Sequence, residues 1–77
     1  MFAGSGAIQV LDMQDEKGRI YRFIEAFEER YGRKPVPQDA EGDFKLRVAR
    51  DLQMSVGGAR YYLRLAAEQT QRDNKET

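Results

Sequence analysis

Ile20, Phe23, Ile24, Phe27 and Tyr31 recur at i, i+3, i+4, i+7 and i+11. That spacing makes one apolar stripe with the 3.6-residue period of a helix. Arg22, Glu25, Glu28 and Glu29 fall off the stripe. The pattern predicts a first helix that starts between Asp12 and Gly18 and ends near Tyr31. Asp12 or Asp15 suits the N-cap, and the acidic residues at this end suit the helix dipole. Gly18 would cost about 1 kcal/mol inside a helix, which favours a start just after it. Gly32 is a good residue to close it.

Pro35 and Pro37 stiffen the following segment and disfavour helix just before them, so residues 33–41 read as a loop. A second helix is expected over residues 40–53, capped by Asp39 or Asp43. Phe44, Val48, Ala49 and Leu52 form its inner face, with Leu46 at the margin and Lys45, Arg47, Arg50 and Asp51 outward. Gln53, Met54 and Ser55 read as a turn. Ser55 is a natural N-cap for a third helix over residues 56–69, with Ala59, Tyr62, Leu63 and Ala66 inside. Tyr61 and Leu65 lie one turn apart and off that inner stripe. They suit an apolar patch for the N-terminal segment or for a dimer.

At the N-terminus a Gly/Ser-broken lead precedes a short apolar run, so residues 1–11 are expected as an arm, with residues 7–11 suited to a short strand. Residues 71–77 (QRDNKET) are polar and read as a disordered tail. The expected organisation is one all-α domain over residues 12–70, built on three helices, with that arm before it. The 77 residues leave no room for a second lobe or a deep cleft.

Cysteine and histidine are both absent. Disulfides and thiolate metal sites are excluded, and the commonest general base and metal ligand are missing. Asp39, Glu41 and Asp43 alternate, but a calcium loop needs a longer ladder of ligands. No cofactor and no metal are expected, and the chain is not expected to be an enzyme. No run approaches the ~20 apolar residues of a membrane span, so a cytoplasmic location without membrane contact is the default.

Formal net charge is zero, but it is unevenly spread. Residues 1–43 carry six basic and nine acidic side chains, residues 44–77 seven and four. Within residues 44–67, Lys45, Arg47, Arg50, Arg60 and Arg64 stand against Asp51 alone. For a polyanionic ligand a local basic face matters, and the total does not.

The run V-A-R-D-L-Q-M-S-V-G-G-A-R-Y-Y-L, residues 48–63, resembles the helix-turn-helix of phage and bacterial repressors and activators. Such a motif needs a small residue where its helices cross, and Ala49 stands there. It needs apolar flanks, here Val48, Leu52 and Met54, and an apolar inner side on the second helix, here Ala59, Tyr62 and Leu63. One departure concerns the first turn position, where the class usually holds Gly because the backbone needs a positive φ. This chain has Gln53, which must bear strain or turn differently.

The resemblance implies double-stranded DNA as partner, with transcription regulation or an accessory role in a phage, plasmid or other mobile element. It implies that Ser55, Val56, Gly57, Arg60 and Tyr61 lie at the major groove. Arg60 is placed to pair with a guanine and Tyr61 to reach a thymine methyl or a phosphate. Gly57 and Gly58 would let the backbone come close to the duplex. Arg64, Lys45, Arg47 and Arg50 would hold phosphates. A homodimer on two half-sites is common in the class. No β-pattern follows the third helix, so no C-terminal wing is expected. Two other readings stay open: a protein-interaction module on the same core, and a DNA-binding subunit of a recombinase- or terminase-type assembly.

Overall fold

The structure, a computed structural model, describes residues 16–76. The expected arm or strand at residues 1–11 and the N-caps at Asp12 and Asp15 lie outside the described residues. What is described is all-α: helix α1 (Glu16–Tyr31), α2 (Phe44–Asp51) and α3 (Val56–Glu76), with a 3-10 turn at Pro37–Ala40. No strand occurs among the described residues.

The apolar stripe of α1 goes where its period sends it: Ile20, Phe23, Ile24 and Phe27 are buried. Phe27 is the centre of the core, with 0% of its surface exposed. Its ring lies 4.7 Å from that of Tyr31 and 6.0 Å from that of Phe44, while Phe23 stacks on Tyr62 at 5.6 Å. Offset and edge-on aromatic pairs of this kind add about 0.5–1.5 kcal/mol each beyond the area they bury. Gly32 closes α1 as expected, at φ +74°, with its N–H on the Glu28 carbonyl at 2.8 Å.

The second helix is shorter than the sequence pattern predicts. Residues 37–40 form the separate 3-10 turn, and α2 runs only from Phe44 to Asp51. Pro37 opens the 3-10 turn, where a missing N–H costs nothing. Asp39 does not cap α2. It is buried and turns back, accepting the Val36 N–H at 2.8 Å and a two-pronged Arg33 pair at 3.0 Å. Asp43, at the N-cap position of α2, makes no side-chain cap bond. The Arg33 guanidinium also lies over the Phe27 and Phe44 rings, at 5.2 and 5.4 Å. One ion pair thus ties the loop to the aromatic core.

The third helix runs longer than expected. It passes Gln69 and continues to Glu76, so residues 71–76, read from the sequence as a polar tail, are helical. The cause is a tertiary clamp. The Tyr21 hydroxyl donates to the Asp73 carboxylate at 2.9 Å, and the Gln69 amide donates to it at 3.0 Å. These two donors, Gln69 first, hold the Asp73 carboxyl below the usual carboxylate range. The helix packs against α1, α2 and the 3-10 turn through Ala59, Leu63, Ala66 and Ala67.

Between α2 and α3 the chain reverses in four residues. Leu52 N–H reaches the Val48 carbonyl and Met54 N–H the Ala49 carbonyl, both at 2.9 Å. Gln53 sits at φ +57°, the one non-glycine residue with positive φ among those described. A left-handed conformation costs a residue with a Cβ roughly 1–2 kcal/mol. Gln53→Gly should therefore raise stability by up to about 1 kcal/mol, after the entropic cost of glycine is deducted. Gln53→Val should lower it by more than 1 kcal/mol. Urea midpoints of the two variants check this, and a stabilising Val would contradict the geometry.

Candidate nucleic-acid interface

The start of α3 is fixed by Ser55. Its Oγ accepts the Gly58 N–H at 3.0 Å, and its carbonyl takes the Ala59 N–H at 2.9 Å. This cap stabilises the first turn by about 1 kcal/mol. It also sets which side chains face outward. Ala59, Leu63 and Ala66 are completely buried, so the residues on the opposite side of the helix must meet solvent.

That opposite side carries Val56, Gly57, Arg60, Tyr61 and Arg64, all exposed, with Ser55 at its head. Val56 keeps 43% and Tyr61 49% of its surface exposed. The two glycines differ. A Cβ at Gly58 would lie 3.0 Å from Ser55 Oγ, so the cap itself favours a small residue there. A Cβ at Gly57 would meet nothing within 4 Å. Nothing inside the described fold calls for glycine at 57, where it weakens the helix.

Tyr61 is not wholly free. Its hydroxyl donates to the Glu16 carboxylate at the start of α1. That bond, foremost, raises the Tyr61 pKa, and burial and the Glu16 charge add to the shift. Every candidate residue on α3 is thus at the surface except Gly58, which is half-buried.

On α2 the basic residues part company. Arg47 and Arg50 are exposed, but Lys45, expected outside, is half-buried. Asp51, also expected outside, has only 10% of its side chain exposed. Tyr31 donates its hydroxyl to Asp51 Oδ2 at 2.8 Å. Arg30, Arg47 and Arg50 surround the same carboxylate at 3.6, 3.7 and 3.9 Å. Those distances are too long for tight hydrogen bonds, so the guanidiniums keep donors to spare. The Tyr31 bond first, and then the three arginines, hold the Asp51 carboxyl below the usual range despite partial burial.

This cluster extends the basic set to α1. The 47–51 pair was visible as an i,i+4 spacing; Arg30 and Tyr31 left no such signal, because they come from another helix. A shallow depression of about 630 Å³ lies beside them, walled by Arg30, Tyr31, Arg47, Glu29 and Leu52. Its charges are mixed, with Glu29 and Asp51 beside Arg30 and Arg47. Among the described residues no group of three acidic, His or Cys side chains is placed to hold a metal. No helix of the described residues is long and apolar enough to cross a membrane.

No family model, curated protein or solved structure matches the chain.

The Asp51 cluster has a pH signature. Its folded pKa lies below the unfolded one, so its contribution to stability is present above the usual carboxylate range and lost as pH falls through the folded value. Asp51→Asn should be less stable than wild type at neutral pH, and the gap should narrow as the solution is acidified toward pH 3. Urea midpoints from pH 7 to 3 check this; a gap that stays constant would contradict the cluster.

Proposed function

We propose that the chain binds duplex DNA through a helix-turn-helix formed by α2, the turn at residues 52–55, and α3. The observation that carries the reading is the outer face of the first turns of α3. Gly57, Arg60, Tyr61 and Arg64 stand uncovered there, while the inner face is fully packed. Two features lend support. Gln53 takes a positive φ at the turn position where this class holds glycine. Gly57 lacks a side chain without any need from within the described fold, which suits a close approach by a ligand backbone.

In this reading the N-terminal turns of α3 enter the major groove. Arg60 reads a guanine edge with two parallel bonds, and Val56 offers an apolar contact to a thymine methyl. Arg64 and the exposed Arg47 and Arg50 sit on phosphates and set the register. Arg30, held beside them by Asp51, joins that set. Lys45 is half-buried and contributes less. The action is binding alone, as a regulator or an accessory factor.

The acidic outer face of α1, with Glu25, Glu28 and Glu29 exposed, suits the competing reading of a protein-docking module. Salt separates the two. DNA binding that releases counterions from three or four phosphates falls with a log–log slope of about −3 to −4. Fluorescence anisotropy with a mixed-sequence duplex, over rising salt, measures it. Arg60→Ala should then cost about 1–3 kcal/mol on a selected site and relax one base position. Arg47→Gln should weaken all sequences alike and flatten the slope by about one. A salt-independent affinity, or none at low salt, would overturn the reading.

A further inference from the structure

The basic side chains on the outer face of α3 do not stop at Arg64. Arg72 and Lys75 are exposed as well. Arg60, Arg64, Arg72 and Lys75 fall within about 120° of one another around the helix axis, on the arc that carries Gly57. That arc faces away from the buried Ala59, Leu63 and Ala66. Among the described residues none of the four cations pairs with an acidic group. Glu68 is the one acidic side chain between them, and it divides the stripe into two basic pairs. The surface beside it is open: a shallow depression of about 230 Å³ runs from Glu68 to Arg72 and Lys75.

We infer that α3 lies along the major groove rather than across it, and that Arg72 and Lys75 hold phosphates of the flanking backbone. This rests on the duplex binding proposed above and extends it by a second contact region. Length decides the orientation. From Arg60 to Lys75 the helix rises about 22 Å. The groove is about 12 Å wide, so a helix laid across it carries Lys75 past the far strand. Laid along the groove, α3 keeps both basic pairs toward the duplex. A straight helix follows a curved groove for only part of its length, so the pair at its far end meets backbone rather than base edges.

The last turns must stay helical to do this, and a polar helix end frays unless it is tied down. Asp73 supplies the tie from the side opposite the stripe. It accepts the Tyr21 hydroxyl at 2.9 Å and the Gln69 amide at 3.0 Å. Tyr21, on α1, is thereby a positioning residue: it acts on the ligand through Asp73 and the two cations beside it.

Fluorescence anisotropy with a mixed-sequence duplex over rising salt tests this on the wild type and on the double variant Arg72→Gln, Lys75→Gln. Two further phosphates take the wild-type log–log slope to about −5, and the double variant should return it to about −3 to −4. At fixed low salt the double variant should bind several-fold more weakly. A wild type that binds, but with the same slope and affinity as the double variant, would overturn the inference and leave the duplex reading standing. A wild type that does not bind at low salt would overturn both. Tyr21→Phe should weaken binding in the wild type and change little in the double variant, because its effect passes through Arg72 and Lys75. An equal loss in both backgrounds, or none in either, would overturn the positioning role of Tyr21.

Discussion

The reversal at Gln53 is the constraint on which the rest depends. Four residues must turn the chain so that α3 returns across α2, and they do so with a left-handed residue that bears a Cβ. The return is close because Ala49 on α2 and Ala59 on α3 are both small and buried. Larger residues there would push the helix axes toward the wide end of the 8–10 Å range. Once the crossing is set, the Ser55 cap fixes the rotation of α3 about its own axis. Burial of Ala59, Leu63 and Ala66 then leaves Val56, Gly57, Arg60, Tyr61 and Arg64 outside. The exposed face follows from the packing behind it.

Around that crossing, two ion-pair clusters hold loops that apolar packing alone would leave loose. Arg33 and Asp39 lock the proline segment over Phe27 and Phe44. Tyr31 and three arginines gather on Asp51 where α1 meets α2. The two differ in strength. The first is two-pronged at 3.0 Å and its carboxylate is buried, the setting in which loss of a partner is costly. The second is loose, with well-exposed guanidiniums, so its contribution to stability is screened and its donors remain available to an outside anion.

The stripes of α1 and α3 were legible because burial imprints a period on the chain, and eleven or more residues suffice to show it. Ser55 as cap, Gly32 as terminator and Ala49 as a small buried residue were legible from local chemistry. The break before α2 was not, because the proline turn and Asp39 compete with helix through bonds to Val36 and Arg33 that no period encodes. The end of α3 was misread for a related reason. QRDNKE looks like a frayed tail by composition, and Tyr21, fifty-two positions away, joins Gln69 in making Asp73 an anchor. Of the candidate interface, the α3 residues were found by spacing. Lys45 and Asp51 were misplaced and Arg30 was missed; Asp51 and Arg30 meet across two helices, not as neighbours in sequence.

The central claim is that one face of α3 is built for a duplex. The most direct measurement is an amide NMR titration of the isotope-labelled protein with a mixed-sequence duplex, first at low and then at moderate salt. The account predicts shifts centred on residues 55–64, weaker ones at Arg47 and Arg50, and reversal as salt rises. Shifts confined to the acidic face of α1, or no shifts at low salt, would contradict it.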